Sequence, residues 1–262
     1  MDGSIKSLYL IESDDDIAAL PKNTLPIGGG SNLLIDPKIN QPIVKVSPNY
    51  CDFQVDNGKL ICSAGATVSK ILKWMILNNA SGLEFAAGVP ATIGGMAYMN
   101  FECWGNEVSK LIDSVYIYEE EKGFRWVKRN EYNVAYRWTS FHELKCIILA
   151  VKLNLKSEES EKVKEVILDN LNERKQKQPV LKSTFGSVFK NPLPSKAGKL
   201  IDDLNLKGKS IGDAIISSHH ANFFENLNTA KFEDTVKLIK FVQNQVLKMY
   251  NINLECEVQI IQ

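Results

Sequence analysis

Gly28-Gly29-Gly30-Ser31-Asn32-Leu33, entered from the apolar run Leu25-Pro26-Ile27, is one of two stretches that decide the fold. Three successive glycines let the chain turn sharply and present N–H groups with no side chain in the way, a concavity suited to phosphate oxygens. The second stretch is Gly88-Val89-Pro90-Ala91-Thr92-Ile93-Gly94-Gly95, continuing to Tyr98-Met99-Asn100. Pro90 stiffens the chain there, while Gly94 and Gly95 permit close approach of a flat or anionic group. Neither stretch has the spacing GxGxxG or GxxxxGK followed by Ser or Thr, so the Rossmann and P-loop readings fail. Each alone also reads as a structural turn. Their pairing, one behind a strand and the other behind a capped helix, raises both above that reading.

Working outward, residues 7–10, 25–27 and 43–47 are short and β-rich and predict a small sheet. Residues 53–55 and 60–62 flank Asp56-Asn57-Gly58-Lys59, and Asn-Gly tolerates the positive φ angles of a hairpin turn. Thr67 can cap a helix in which Val68, Ile71, Leu72 and Met75 share a face and which stops near Asn79. Residues 82–105, rich in Gly, small residues and Met, read as an irregular segment held closely against something, not as a helix. Residues 114–118 and 124–127 predict a second hairpin with an acidic turn ending in Gly123, and 146–155 a strand.

The composition then changes. Residues 157–177 are highly charged, with Val163, Ile167, Leu171 and Arg174 on one stripe. This predicts a solvated connecting helix and a domain boundary. Beyond it come a strand or loop at 186–191 and a helix at 197–204 with Asn205 as a left-handed cap. A long helix follows at 230–250, with Phe232, Val236, Ile239, Val242, Val246 and Met249 on one face, and a closing strand at 254–261. Strands and helices mix without regular βαβ alternation, which predicts the α+β class.

The 262 residues carry 31 Lys+Arg against 31 Asp+Glu. There is no bulk charge to hold nucleic acid or an anionic membrane, so an anionic ligand needs a local basic pocket. Cys51, Cys62, Cys103, Cys146 and Cys256 are odd in number and scattered, which fits free thiols in a reducing cytoplasm. His142, His219 and His220 lack metal-ligand spacing with a third ligand, so no metal site is expected. No secretory signal is visible, and no window reaches the ~18 apolar residues of a membrane span.

Three further motifs carry candidate chemistry. Tyr136-Arg137-Trp138-Thr139-Ser140-Phe141 offers a guanidinium beside an aromatic ring; without context it is a surface Arg. Phe185-Gly186-Ser187-Val188-Phe189-Lys190-Asn191-Pro192 holds a Ser with no adjacent His, so the residues alone do not make it a nucleophile. In Leu254-Glu255-Cys256-Glu257-Val258 the two glutamates are same-face neighbours on a strand, and spacing does not choose between them.

Together these motifs resemble the UDP-N-acetylenolpyruvoylglucosamine reductase (MurB) family. The two glycine loops match its form of the vanillyl-alcohol-oxidase-type FAD signature, and Gly186-Ser187-Val188-Phe189-Lys190-Asn191-Pro192 is the most specific single match. Arg174 with Gln178-Pro179, residues 197–212, His220-Ala221-Asn222-Phe223 and the final Leu254-Glu255-Cys256-Glu257-Val258 extend the resemblance over residues 25–261. It implies an FAD-binding PCMH/VAO-type domain over 1–157, built of two α+β subdomains (about 1–48 and 49–157). A smaller α+β substrate-binding domain with a linker helix would occupy 158–262.

The implied reaction is reduction of UDP-N-acetylglucosamine enolpyruvate to UDP-N-acetylmuramate for peptidoglycan, with non-covalent FAD and NADPH as co-substrate. The resemblance makes Arg137, Ser187 and Glu257 the catalytic trio. It assigns Gly28, Gly29, Gly30, Ser31, Asn32, Leu33, Gly88, Val89, Pro90, Thr92, Ile93, Gly94, Gly95 and Asn100 to FAD. Tyr136, Lys190, Asn191, Lys207, His220 and Asn222 would meet the sugar nucleotide. The short separation of Arg137 from Ser187 matches the family's shorter form, without a lid insertion. Ala91, Phe101-Glu102 and Thr139 depart from its usual pattern, and residues 1–6 are too few for its usual opening segment. A monomer in the cytoplasm is expected. The competing readings are another FAD oxidoreductase of the superfamily and a flavin-less sugar-nucleotide binding protein.

Overall fold

The computed structural model describes residues 7–262, so the expectation about residues 1–6 lies outside the described residues. The contacts divide the chain into two compact units: a larger one of Ser7–Gly29 and Gln41–Glu173, and a smaller one containing Gly30–Asn40 and Arg174–Gln262. This differs from a division at residue 157 for physical reasons. Leu33–Ile35 pairs in parallel with Gln259–Ile261, which ties residues 30–40 to the smaller unit. The first turns of the charged helix bury Val163 and Ile167 in the larger unit's core.

In the larger unit, Leu8–Ile11 and Leu25–Pro26 both run parallel to the central strand Ile43–Val46. A five-stranded antiparallel sheet follows, in the order Gly123–Lys128, Ile112–Glu119, Cys146–Leu153, Lys59–Ser63, Gln54–Asp56. Its first hairpin turns at Asn57 (φ 52°) and Gly58 (φ 76°), the two positive φ angles that Asn-Gly supplies at little cost. Alternation along Ile112–Glu119 sends Val115 and Ile117 into one core and Tyr116 and Tyr118 into the other. The second core, around Ile11, Ile17, Val44 and Leu149, joins the two sheets.

Helix α1 (Val68–Leu77) buries Val68, Ile71, Leu72 and Met75, with Thr67 accepting from the Lys70 N–H. Residues 82–105 hold a helix that the glycine-rich composition obscured: α2 (Ile93–Met99), capped by Thr92 and burying Ile93, Met96 and Ala97. The apolar spacing of three and four was there, but Gly94 and Gly95 at its start masked it. Helix α3 (Ser160–Lys177) then carries the chain from the larger unit into the smaller.

The smaller unit is a four-stranded sheet, Thr184–Ser187, Phe223–Asn226, Ala214–Ile216 and Ser210–Ile211 in spatial order. It shares a core with α4 (Ala197–Asp203) and α5 (Phe232–Tyr250). Asn205 takes the left-handed conformation (φ 55°) just after α4. The buried stripe of α5 is Phe232, Thr235, Leu238, Ile239, Val242 and Val246. Met249, expected on that face, is 65% exposed, because the stripe drifts around the helix in its last turn. Only Gln259–Ile261 of the expected closing strand is regular. Residues 254–258 instead run beside 188–190, where the Glu257 and Val258 N–H groups both donate to the Val188 carbonyl (2.8 and 3.3 Å) and Lys190 N–H donates to Glu255 (2.9 Å).

Asn222 fixes that segment. Its amide accepts from Phe189 N–H (3.0 Å) and donates to Phe189 C=O (2.8 Å), so it pairs with the backbone as a strand would. It is 4% exposed, and Asn222→Ala leaves a buried donor and acceptor unmet. A loss of ~2 kcal/mol is expected in urea unfolding. In the larger unit a Cβ on Gly65 would lie 2.1 Å from the Val46 carbonyl oxygen and 2.7 Å from the Ser47 carbonyl carbon. Gly65→Ala is expected to cost ~1–3 kcal/mol by the same measurement, since backbone must shift.

Candidate active site

In the larger unit the two glycine stretches meet. A Cβ on Gly28 would lie 3.0 Å from Thr92 Oγ1 and 3.1 Å from Gly95 Cα; one on Gly29 would lie 3.3 Å from the Pro90 carbonyl. The 90–95 stretch is held from behind. Gly94 N–H donates to Ala64 C=O (2.9 Å), Ile93 N–H to Ala66 C=O (3.0 Å) and Val68 N–H to Ala91 C=O (3.1 Å). A Cβ on Gly94 would come within 2.6 Å of Ala64 Cβ, so glycine is the residue that permits this zipper. Ile93 is fully buried, and only its backbone can face a ligand. Gly88 (φ 79°) opens the stretch, with Val89 N–H donating to Ala86 C=O at 3.0 Å.

Asn100 ends α2 in the left-handed conformation (φ 44°). Its Nδ2 donates to the Ala135 carbonyl at 2.9 Å, while its Oδ1 is buried with no partner among the described residues. Glycine turns stripped of Cβ atoms beside an unmet buried acceptor fit a flat, hydrogen-bonding group with phosphates, as FAD has.

The Ala135 carbonyl belongs to the tight hairpin that presents Arg137. Val134–Ala135 pairs with Trp138–Thr139, leaving Tyr136 and Arg137 as a two-residue turn. Arg137 has φ 55°, which costs an L residue ~1–2 kcal/mol. Backbone strain of this kind gathers at functional sites. The hairpin is pinned by Asn100 and by Thr139 Oγ1 donating to the Tyr98 carbonyl at 2.8 Å. The Arg137 Nη1 donates to the Glu102 carbonyl at 2.8 Å. Its guanidinium lies 5.5 Å from the ring centre of Phe101 and 5.4 Å from that of Tyr136. In the sequence Phe101 stood out only as a departure from the family's usual pattern, with nothing to place it against Arg137.

The smaller unit brings Ser187 and Glu257 onto neighbouring segments. Ser187 pairs with Phe223, and the next residue, Val188, accepts from Glu257 N–H at 2.8 Å. Asn32 joins them: its Nδ2 donates to the Glu257 carbonyl at 3.1 Å, and its Oδ1 is buried with no partner among the described residues. Ser31 lies beside Gly186, and Leu33 is in the strand paired with Gln259. Glu255 and Glu257, indistinguishable by spacing, differ here. Glu255 is 71% exposed in its side chain and pairs with Lys190 at 2.5 Å. Glu257 is half-buried.

The expected substrate residues divide. Asn222 is taken up by Phe189 as described, and Asn191 Oδ1 accepts from Ala197 N–H (3.0 Å) at the start of α4. Lys207 pairs with Asp202 at 2.8 Å and keeps a third of its side chain exposed. His220 Nδ1 accepts from Asn222 N–H at 3.2 Å, which places the proton of the neutral ring on Nε2. Burial holds the His220 pKa below the ordinary imidazole value, the main cause, with Lys207 and His219 adding to it. The neutral tautomer therefore offers an Nε2–H donor. Arg174 Nη1 donates to Gln178 Oε1 at 3.1 Å, joining the two residues of the linker motif. Among the described residues no cluster of His, Cys, Asp and Glu is placed to hold a metal.

Comparison with known proteins bears on both units. Residues 17–120 match the family model "FAD binding domain", and residues 178–261 match "UDP-N-acetylenolpyruvoylglucosamine reductase, C-terminal domain". The UDP-N-acetylenolpyruvoylglucosamine reductase of Bacillus pumilus is 34% identical over 94% of this chain and 82% of its own length. That of Clostridium botulinum is also 34% identical, with the same coverage. The crystal structure of UDP-N-acetylenolpyruvylglucosamine reductase (MurB) from Thermus caldophilus superposes with a TM-score of 0.86 at 26% identity, over 97% of this chain and 92% of that one. The α+β architecture, the glycine loops and the motif order thus coincide with similarity along nearly the whole chain, which belongs to the UDP-N-acetylenolpyruvoylglucosamine reductase family.

Proposed function

We propose that this chain is an NADPH-dependent flavoenzyme that reduces UDP-N-acetylglucosamine enolpyruvate to UDP-N-acetylmuramate in peptidoglycan precursor synthesis. The observation that carries the reading is the pairing of 188–190 with 254–258, which sets the Ser187 and Glu257 segments side by side in a chain of this family. Gly28–Gly30, Gly88–Gly95 and Asn100 would hold FAD, through backbone N–H groups and the unmet Asn100 Oδ1. Bound FAD supplies the hydride chemistry, and the protein supplies orientation and charge.

The chain's own groups then divide the work. Arg137 pairs its planar fork with the substrate carboxylate, where negative charge builds as C3 of the enolpyruvyl group gains hydride. Glu257, protonated, donates a hydrogen bond to the same carboxylate; one such donor is often worth ~3 kcal/mol in the transition state. Ser187 delivers a proton to C2. Tyr136, Lys190, Lys207 and the His220 Nε2–H meet the sugar nucleotide. Lys190 and Lys207 exchange their carboxylate partners for the ligand's phosphate oxygens. Asn191 and Asn222 serve by fixing the loop. We place the enzyme in the cytoplasm, since Cys51, Cys62, Cys103, Cys146 and Cys256 form no disulfide, which fits a reducing compartment.

Ser187→Ala tests the proton donor. In stopped flow, flavin reduction by NADPH should be nearly unchanged, while reoxidation by the enolpyruvyl sugar nucleotide slows at least about a hundredfold. Equal slowing of both half-reactions rejects the role. The glycine cradle is tested by Gly28→Val, whose side chain enters the space against Thr92 and Gly95. The purified variant should lose its yellow colour, absorbance at about 450 nm, and retain FAD at least about tenfold less well. Full retention would place the flavin elsewhere.

A further inference from the structure

Asn100 is 2% exposed, and the groups around its amide dictate which way round it lies. Its Nδ2 donates to the Ala135 carbonyl at 2.9 Å and, more weakly, to Glu107 Oε2 at 3.4 Å. A carbonyl and a carboxylate only accept. Turning the amide over would set Oδ1 against two other oxygens, so the amide is held with Oδ1 on its far side. There Oδ1 is buried and has no partner among the described residues.

Glu107 is itself fixed. It stands opposite Glu102 where the short strands Glu102–Cys103 and Asn106–Glu107 pair, directly after Asn100 in the chain. Its Oε2 also accepts from the hydroxyl of buried Ser109 at 3.3 Å, and its Oε1 lies 3.7 Å from Lys110 Nζ. The backbone that carries Asn100 is pinned as well: Phe101 N–H donates to Met96 C=O and Val108 N–H to Phe101 C=O, both at 2.9 Å. A buried acceptor left unmet costs ~1–3 kcal/mol unless something donates to it. An acceptor cannot be satisfied by a phosphate oxygen, which is an acceptor too.

We propose that Glu107 is a positioning residue that sets the polarity of Asn100, and that Asn100 Oδ1 takes a hydrogen bond from an N–H or O–H donor of FAD, not from its phosphates. This rests on the functional reading above. Oxidised FAD carries such donors on its ring N3, its ribityl and ribose hydroxyls and its adenine amine.

The test is a reciprocal swap, read as FAD retention when the holoenzyme is diluted and followed by flavin fluorescence. N100D sets a carboxylate against the Ala135 carbonyl and Glu107, and should weaken retention at least about thirtyfold. E107Q can still accept, and should stay within about threefold of wild type. In the N100D/E107Q double variant the new amide donates to the new carboxylate, and retention should recover at least about tenfold over N100D alone. Losses that simply add would make Glu107 a packing residue and overturn its role. N100G keeps the left-handed backbone of Asn100 (φ 44°) and removes the amide, so it serves where N100D does not fold. Wild type should retain one of a set of FAD analogues, each lacking a single donor, at least about tenfold less well than FAD. N100G should retain that analogue and FAD within about twofold of each other. The analogue affected identifies the donor. Equal retention of every analogue by wild type, or the same loss in N100G, would overturn the assignment of Oδ1. Wild-type protein that takes up no FAD would sink the functional reading and this one with it; protein that retains FAD and does not reduce the nucleotide would sink the functional reading alone.

Discussion

The approach of Gly94 to Ala64 is the constraint on which the arrangement of the larger unit's glycine stretches depends. With the two backbones close enough to exchange a hydrogen bond, Ile93 and Ala91 also zip onto residues 66–68. Residues 63–66 hold their place for two reasons. The Ser63 hydroxyl donates to the Ser47 carbonyl at 2.6 Å, and Ala64 N–H donates to Leu149, where the register between Cys146–Leu153 and Ile112–Glu119 slips. Such a slip re-aims a strand end. The glycine stretch at 90–95 is thereby fastened to the end of the five-stranded sheet, and Gly28 and Gly29 lie directly against it. The surface these stretches form is built from backbone, with the Ser63 and Thr92 hydroxyls helping to fix its shape.

Much of this was legible in the chain itself. The Asn57-Gly58 hairpin, the Thr67-capped helix and the small sheet, though not its parallel order, follow from turn chemistry and periodicity, which act over a few residues. Helix α2 was not legible. Its two glycines oppose helix formation locally, and the contact that makes them necessary, Ala64, lies far off in sequence. The long helix buries Phe232, Ile239, Val242 and Val246 as its spacing predicts, but Leu238 joins them and Met249 is exposed. Spacing gives a face only as far as the neighbouring elements extend along it.

The candidate site was legible as motifs and not as roles. Spacing made Glu255 and Glu257 equivalent; an ion pair to Lys190 separates them, and that partner is 65 positions away. Asn222 and Asn191 read as polar residues for a ligand. In the fold one imitates a strand for Phe189 and the other begins a helix. Phe101 stood out only as a departure from the family pattern, and that its ring lies against the Arg137 guanidinium is set by the fold. Each of these assignments depends on which residue is opposite, and that is tertiary information.

The pairing of Leu33–Ile35 with Gln259–Ile261 has a consequence for biogenesis. Asn32 and Glu257, bonded to each other, are 225 positions apart. During synthesis residues 30–40 emerge early and have no partner strand until 259–261 leave the ribosome. The larger unit's local hairpins can form during that interval, because their contacts close short loops. The smaller unit must wait. Nascent chains would therefore carry an unpaired edge at Leu33–Ile35 until residues 259–261 emerge, the kind of segment that chaperones shield. The Ser187 segment likewise lacks its neighbour until residues 254–258 have emerged, so a product interrupted before them has no means of completing that pairing.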